Sequence, residues 1–447
     1  TITGGKVSLQ AGQDVDVTGS NVVGTNDVDI KAQGDVHITP AEENQKEKHF
    51  SKVEAKGIFG SGFGFVIGKQ TTTEKQDVQS KMQAGSTVGS VTGNVNIAAG
   101  QNLQVEGSNI VAGKDINMSG AKVDIQAAEE TYDSQYRYDY SLQGLTVSVG
   151  GGAVEKGQKV IGSLERAHQV KDKRLSALYG VKAIQDAANI GLKKNKEFSI
   201  NVGIGSYKEA MNSDTTIKAA KESSIQAGGD VQIKATAQDI NVVGSTVSGN
   251  NITLEAAENV NIQATENSFT NETDTSSTSV GAGITLSPNT PSGLYVSAGK
   301  SREDQNTTKT THTPSTITAQ DKLTIKSGKD TNIVGSQVKG DRVEAQVGGN
   351  LNLESLQDTE SYKEKSAQAS VNIGVGTATV GASAGKMTSD YSSVTSQAGI
   401  YAGKEGFDIN VKGNTDLKGA VIDSKGEPIG DGSKLAQEKN TLTTGTI

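Results

Sequence analysis

Short segments with aliphatic residues at alternate positions recur along the whole chain. Residues 7–9 and 15–17 are such segments, and the same pattern returns 21 positions later at residues 28–30 and 36–38. Side chains at positions i and i+2 of a strand lie on the same face, so each segment has one aliphatic face. Corners such as residues 11–14 (Ala-Gly-Gln-Asp) join the segments, because glycine permits a positive φ and aspartate hydrogen-bonds the local backbone. The pattern predicts a coil of about 21 residues.

Strands this short do not form an independent sheet, so the coils must pair with one another. If each segment pairs with its copy one coil further on, the result is a parallel β-helix with an aliphatic interior. Parallel crossover connections strongly prefer a right-handed path. We therefore predict an all-β fold, a right-handed parallel β-helix (solenoid), with Ile30, Ile116, Ile252 and Leu353 pointing inward. A propeller or a sandwich uses similar strands, but the short corners leave little room for antiparallel hairpins within a coil.

A Gly-Ser pair marks the same position in four larger modules. The glycines are Gly19, Gly107, Gly244 and Gly335, and Gly419 opens a fifth copy in which alanine replaces the serine. Successive glycines are 88, 137, 91 and 84 residues apart. Such a repeat indicates one structural unit stacked on copies of itself. Each module supplies two coils, which predicts about ten coils and a length of roughly 50 Å.

Segments of a different character follow each pair of coils. Charged flanks lead into an uncharged stretch and out again, and a turn signal, Pro-Asn-Thr-Pro at residues 288–291, lies midway along one stretch. Because aliphatic and polar residues alternate on both sides of the turn, we predict long β-hairpins that leave the helix between coil pairs. The uncharged stretches are residues 57–68, 275–299 and 366–385, with residues 140–152 and 198–206 as a split equivalent.

The second hairpin is interrupted by residues 153–197. Their larger aliphatic residues fall at near-helical spacing, and the segment contains ten Lys or Arg against five Asp or Glu. We predict a basic amphipathic helical insert, which either lies on an anionic surface or packs on its parent body. The predicted division is coils at 1–40, hairpin at 41–94, coils at 95–128, hairpin arms at 129–152 and 198–224 around the insert, coils at 225–265, hairpin at 266–316, coils at 317–357, hairpin at 358–399 and terminal coils at 400–447.

The hairpin arms have the length and the alternation of membrane-contacting strands. Each arm carries about ten uncharged residues, and a tilted strand that crosses a bilayer needs about 9–11. One face of an arm is aliphatic or aromatic, and the other is Gly, Ser, Thr or Asn. The same alternation is typical of a hairpin packed flat on the β-helix, so both interpretations remain open. The residues that we expect to contact a membrane are Phe59, Phe63, Phe65, Ile67, Val280, Ile284, Leu294, Val296, Val371, Ile373 and Val380.

Composition narrows the function classes. The net charge of −8 gives no basic balance for nucleic-acid binding. No run of about 18 apolar residues is present, so no transmembrane helix is predicted. Cysteine is absent, which fits a chain exported unfolded through an oxidising compartment or a β-helix that stacks without disulfides. The first residues read as the middle of a strand, so we expect an excerpt from a longer protein.

Several patterns resemble chemical sites but lack the required context. Residues 381–385 match the Gly-x-Ser-x-Gly nucleophile elbow, yet no helical pattern and no histidine follow them. The four histidines are dispersed, and the aspartates at the corners lack the glycine-rich repeat of calcium-binding solenoids. Residues 60–64 lack the third glycine of a dinucleotide fingerprint. We therefore predict no catalytic, cofactor or metal site, and a polysaccharide-cleaving β-helix ranks third among the functions considered.

The repeated blocks resemble a known family. The block GSNIVAGKDINMSGAKVDIQAAEETY at residues 107–132 is similar to the haemagglutinin repeats of filamentous-haemagglutinin-like exoproteins. With its interleaved glycine-rich hairpins, the whole chain resembles the second haemagglutinin-repeat region of CdiA-type contact-dependent growth-inhibition proteins. This resemblance implies two-partner secretion through an outer-membrane transporter of a Gram-negative bacterium, a secreted or cell-surface location, and a larger exoprotein with a C-terminal toxin.

Two functions follow from these patterns. By resemblance, the first is a non-enzymatic segment that associates with the outer membrane of a target cell through its hairpins and helps a toxin across. The second is an adhesin stalk or surface-binding module whose hairpins are purely structural. Neither function calls for nucleic acid or a cofactor.

Overall fold

The computed structural model describes residues 1–61, 64–150, 199–286, 293–424 and 439–447. Within these ranges the chain forms 35 β-strands and no α-helix. The described part accordingly contains no helix that is long and apolar enough to cross a membrane. The predicted helical insert, Phe63 and the predicted turn at 288–291 lie outside the described residues.

The coils up to residue 334 each contain three short strands, whereas the sequence pattern separated only two; in the coils at 337–354 and 399–418 the first two strands join into one. The additional strand follows the Gly-Ser corner, as at Asn21–Gly24. Its valines are interrupted by glycine and polar residues, which weakens the alternation. The strands of the body are β1 (Ile2–Gly4), β2 (Val7–Ala11), β3 (Val15–Thr18), β4 (Asn21–Gly24), β5 (Val28–Ala32), β6 (Val36–Thr39), β9 (Thr87–Ser90), β10 (Val95–Ala99), β11 (Asn102–Glu106), β12 (Asn109–Ala112), β13 (Ile116–Gly120), β14 (Lys122–Gln126), β17 (Ser224–Ala227), β18 (Val231–Ala235), β19 (Ile240–Val243), β20 (Thr246–Gly249), β21 (Ile252–Ala256), β22 (Val260–Gln263), β25 (Thr316–Ala319), β26 (Lys322–Ser327), β27 (Thr331–Val334), β28 (Gln337–Val347), β29 (Leu351–Glu354), β32 (Gly399–Val411), β33 (Thr415–Lys418), β34 (Val421–Ser424) and β35 (Thr441–Thr443).

These strands stack in parallel ladders, so the body is the predicted parallel β-helix. Ile252 lies opposite Val231 of the coil before and Leu323 of the coil after. Ile252 is fully buried, as is Ile116, while Ile30 and Leu353 are 1% exposed. The predicted inward positions are therefore confirmed. One continuous aliphatic core runs along the body because every coil adds side chains to the same interior columns.

The remaining eight strands are long and form four hairpins. They are not separate projections, because all eight pair in chain order into one antiparallel sheet. Two coils advance the helix by roughly 9.6 Å, and the two strands of a hairpin also occupy roughly 9.6 Å. One hairpin for every two coils therefore fills a sheet without gaps. The strands of this hairpin sheet are β7 (Ala41–Ser61), β8 (Gly64–Ala84), β15 (Ala128–Gly150), β16 (Ser199–Lys221), β23 (Thr265–Leu286), β24 (Gly293–Thr313), β30 (Asp358–Gly374) and β31 (Thr377–Ser393).

A column of buried serines fixes the point where each hairpin leaves the body. The Ser245 backbone N–H donates to the Ser315 hydroxyl (3.2 Å), and the Ser315 N–H donates to the Ser336 hydroxyl (3.1 Å). Ser315 follows the third hairpin, and its hydroxyl donates to the carbonyl of Gln263, which precedes that hairpin (2.7 Å). The serine thus closes the coil across the excursion. The same bond recurs from Ser86 to Thr39 and from Ser223 to Gln126.

The Gly-Ser corners complete this arrangement. Gly244 has a φ of +55°, and a Cβ there would overlap the side chain of Thr265, the first residue of the third hairpin. Only glycine combines this backbone conformation with so close an approach. The glycine of the repeated Gly-Ser pair therefore leaves room for the base of the next hairpin.

Candidate functional site: the distal hairpin sheet

The register of the hairpin sheet aligns its residues in rows across the strands. Directly opposite residues of antiparallel strands lie on one face, and successive rows alternate between the faces. We call the row of Lys56 and Lys69 the border row, because no described residue of the sheet beyond it, towards the hairpin ends, is charged. The border row contains Lys56, Lys69, Gln143, Ser206, Val280, Ala298, Val371 and Val380.

The face that carries the border row, here the aliphatic face, is apolar in its distal part and mostly exposed to solvent, although Phe65 and Val147 are buried. Leu294 is 75% exposed, Ile204 73% and Val380 79%. From Gly293 to Arg302 of β24 the residues of this face are exposed, whereas the alternating residues of the other face are half-buried. The next row of this face contains Ile58, Ile67, Leu145, Ile204, Ala282, Val296, Ile373 and Ala378, and the row after it contains Phe65, Val147, Val202, Ile284 and Leu294.

The register places most of the candidate membrane-contacting residues on this single face. Ile67, Val280, Ile284, Leu294, Val296, Val371, Ile373 and Val380 all share it and are exposed. Two phenylalanines differ: Phe65 is on this face but only 5% exposed, and Phe59 is half-buried on the opposite face. Leu145 and Ile204, which sequence reasoning did not single out, belong to the exposed set. The alternation of aliphatic and polar residues in the arms at 140–152 and 198–206 could have identified these two residues.

The opposite face, here the glycine face, is made mostly of small and polar residues, with Phe59, Val66 and Leu142 among its apolar members. A Cβ at Gly68 would overlap the Gln143 carbonyl oxygen, and one at Gly144 would overlap that of Ile67. The strands therefore approach too closely here for larger residues. Tyr295 covers Gly203 and Gly283 from this side. The first distal row of this face contains Gly57, Gly68, Gly144, Gly205, Gly281, Ser297, Asn372 and Thr379.

A shallow cleft of about 410 Å³ opens on the glycine face. The rings of Tyr140 and Tyr207 meet edge to face at its wall, with centroids 6.0 Å apart. The Tyr207 hydroxyl donates to the Glu209 carboxylate (3.1 Å). Burial and the nearby Glu209 carboxylate raise the pKa of both phenols. The tyrosines therefore stay neutral, and no charged side chain is among the described residues that line this cleft.

The two faces also differ in charge. The border row and the three rows of the aliphatic face behind it carry ten basic and four acidic side chains, a net +6 in a chain of −8. The four interleaved rows of the glycine face carry four glutamates and no Lys or Arg. The basic residues are Lys52, Lys56, Lys69, Lys75, Arg137, Lys208, Lys300, Arg302, Lys365 and Lys386, the acidic ones are Glu54, Asp139, Asp274 and Asp304, and the glutamates of the glycine face are Glu74, Glu209, Glu303 and Glu364.

One acidic pair on the aliphatic face is unevenly protonated. Asp274 lies directly opposite Asp304. A hydrogen bond with Asp304 raises the pKa of Asp274, whereas a hydrogen bond from Arg302 (2.7 Å) lowers the pKa of Asp304. Asp274 therefore loses its negative charge at a higher pH than an ordinary aspartate. The aliphatic face becomes more positive as the pH falls.

The aspartates at the coil corners serve the backbone. The Asp115 carboxylate accepts from the Asp230 N–H (2.9 Å), and the Asp230 carboxylate accepts from the Asn251 N–H (3.1 Å). Each corner thus caps the next one along the helix, as a corner former should. Within the described residues no group of three or more His, Cys, Asp or Glu is arranged to hold a metal ion.

Fold and surface together define a parallel β-helix that carries an amphipathic antiparallel hairpin sheet. The chain belongs to the Hemagglutinin repeat family, whose model matches residues 1–67, 67–201 and 202–369. No solved structure is significantly similar to it.

Several relatives align with the whole chain, among them three proteins named CdiA. It is 32% identical over 466 residues to Toxin CdiA of Yersinia pestis, 32% over 473 residues to Deoxyribonuclease CdiA of Yersinia pseudotuberculosis serotype O:3, and 31% over 474 residues to 16S rRNA endonuclease CdiA of Enterobacter cloacae. The chain covers 14%, 43% and 14% of these proteins, respectively. It therefore corresponds to a segment of much larger relatives.

Proposed function

We propose that this chain is a non-enzymatic delivery segment of a secreted bacterial surface protein, which engages the outer membrane of a target cell through the aliphatic face of its hairpin sheet. By resemblance, the larger protein is exported through an outer-membrane transporter and carries a C-terminal toxin. Relatives named for different nuclease activities share this segment. That shared segment supports a role common to them, with the named activities residing elsewhere in those proteins.

The exposed aliphatic face is the observation that carries the proposal. Soluble proteins rarely leave a large contiguous apolar patch uncovered, and such patches mark interaction surfaces. The patch is free of charge beyond the border row, and its distal rows extend for roughly 20 Å along the strands. A lipid surface fits both features, because acyl chains are apolar and headgroups face charged side chains.

The mode of contact follows from the sheet edges. β7 and β31 are edge strands, so each leaves one row of backbone N–H and C=O groups outside the sheet. Unpaired backbone groups are costly in hydrocarbon. We therefore propose that the sheet first lies with its aliphatic face in the membrane interface, and that any deeper insertion requires both edges to find partners.

The adhesin-stalk alternative makes a different use of the same sheet. A sheet that only stiffens or widens the β-helix has no need of an exposed aliphatic face. If the hairpins are purely structural, lipid binding should be absent and changes on either face should have similar effects.

Paired lysine substitutions on neighbouring residues test the proposal. Ile373→Lys and Ala378→Lys place a charge on the aliphatic face beyond the border row, whereas Asn372→Lys and Thr379→Lys place the same charge one residue away on the glycine face. All four positions are exposed, so the soluble fold should tolerate each change. A lysine costs about 2–4 kcal/mol at the bilayer midplane and less towards the interface, so each aliphatic-face variant should weaken lipid binding by an amount that depends on how deep the face lies.

We expect the two aliphatic-face variants to bind outer-membrane-like liposomes more weakly in a flotation assay. The two glycine-face variants should bind as the unmodified chain does. Failure of the unmodified chain to bind lipid, or equal loss in all four variants, would favour the adhesin stalk.

A further inference from the structure

The border between the charged and uncharged parts of the aliphatic face is formed by a lysine on six of the eight strands, and by Asp139 and Asp274 on β15 and β23. On each returning strand the first charged residue behind the uncharged part is a lysine: Lys69 on β8, Lys208 on β16, Lys300 on β24 and Lys386 on β31. All four occupy rows of the aliphatic face. Lys56 adds a fifth in the border row on β7.

Two of these lysines flank one position. Lys208 and Lys300 both lie opposite Thr278, one on each neighbouring strand. Their Cα atoms are therefore separated by two strand spacings, roughly 9.6 Å. All three residues are exposed on the aliphatic face. Two flexible ammonium groups on this spacing can converge on a single phosphate group placed over the threonine hydroxyl.

The position of the lysines relative to the apolar rows matches a lipid leaflet. The first fully apolar row lies two residues from the border row and four residues from the row of Lys208 and Lys300, or roughly 7 Å and roughly 14 Å along the strand. Long lysine side chains extend from an apolar surface to the headgroup level. Their positive charge is balanced only in part by neighbouring carboxylates: Glu54 lies 3.0 Å from the Lys69 ammonium and 3.1 Å from that of Lys52.

We infer that the aliphatic face recognises anionic lipid, with Lys208 and Lys300 contacting phosphate-bearing headgroups while the distal aliphatic rows enter the acyl region. This inference rests on the proposed membrane contact and adds the class of lipid. Phosphate-bearing headgroups supply the negative charge that the net +6 of the border row and the three rows behind it complements, and the neighbouring apolar rows require a lipid as its carrier.

The test uses the whole chain and vesicles of two compositions, pure phosphatidylcholine and a mixture with anionic phosphatidylglycerol. The variant Lys208→Gln/Lys300→Gln removes two charges from the border. The matched control Lys221→Gln/Lys309→Gln removes two charges from the glycine face near the base of the sheet. Binding is measured by flotation at low and high salt, since screening weakens contacts with surface charges.

We expect the unmodified chain to prefer anionic vesicles and to lose that preference at high salt. The border variant should bind anionic vesicles roughly tenfold to thirtyfold more weakly, at about 1 kcal/mol per lysine, while the control keeps the full preference. Equal binding to both vesicles would overturn the inference and leave the membrane contact standing. An equal effect of both variants would also overturn it, and binding to neither vesicle would reject the proposed function itself.

Discussion

The β-helix and the hairpin sheet have the same alternation of aliphatic and polar residues, but the aliphatic face is buried in the helix and exposed in the sheet. In the helix, coil closure places Ile252 and its neighbours in an interior with no solvent contact. In the sheet, an equally regular alternation leaves Leu294 75% and Val380 79% exposed. Alternation determines which residues share a face, but whether that face is covered depends on how the strands close. The body needs its aliphatic face for stability, whereas the sheet leaves its own available for binding.

The largest expected effect comes from a charge in the helix interior. Ile252→Asp buries a carboxylate among aliphatic side chains with no partner, which should cost several kcal/mol of unfolding free energy. The melting temperature followed by circular dichroism checks this. Leu294→Asp is the matched change on the sheet, and its melting temperature should stay close to that of the unmodified chain. Equal losses in the two variants would contradict the contrast between a closed and an open face.

A smaller effect is expected at the junction of the two regions. Ser315→Ala removes the hydroxyl that accepts the Ser245 N–H and donates to the Gln263 carbonyl. A buried donor left without a partner costs about 1–3 kcal/mol. Ser8→Ala, at an exposed position of β2, is the control and should change stability by less than about 0.5 kcal/mol.

Hydrogen exchange locates this loss. Faster exchange should appear in the coils next to the third hairpin, since each coil contacts only its neighbours. Uniformly faster exchange along the whole body would show that the effect of the serine is not confined to the neighbouring coils.

The sequence predicted the β-helix well because each coil repeats the same chemistry. Aliphatic side chains at i and i+2, glycine corners and a constant period together leave one closed arrangement. The inward positions Ile30 and Ile116 followed from that alone. The sequence pattern did not reveal the third strand of a coil, because aliphatic and polar residues alternate less regularly in β4 and its copies.

The sequence predicted the hairpins but not that they pair into one sheet. Each hairpin was considered by itself, as a projection or as a layer on the helix, and neither view contains a partner hairpin. The missing step was geometric, since one two-stranded hairpin for every two coils matches the coil spacing. Only the register then shows that Ile67, Leu145 and Ile204 form one row. The face shared by residues from different hairpins is a property of pairing, which no single segment encodes.

The smallest expected effect sharpens the comparison with a nearly isosteric change. Val247→Thr, at a position 1% exposed in the helix, and Val380→Thr, 79% exposed in the sheet, alter the same atoms of the same residue type. Threonine keeps the branched shape and the strand preference of valine, so strand propensity changes little. In the interior the hydroxyl is buried in an aliphatic column, which costs about 1–3 kcal/mol. On the sheet the same hydroxyl faces water, so the free energy of unfolding should change by less than about 0.5 kcal/mol. Chemical denaturation of both variants measures the two values, and a loss above about 1 kcal/mol for Val380→Thr would mean that the aliphatic face is already covered in the free protein.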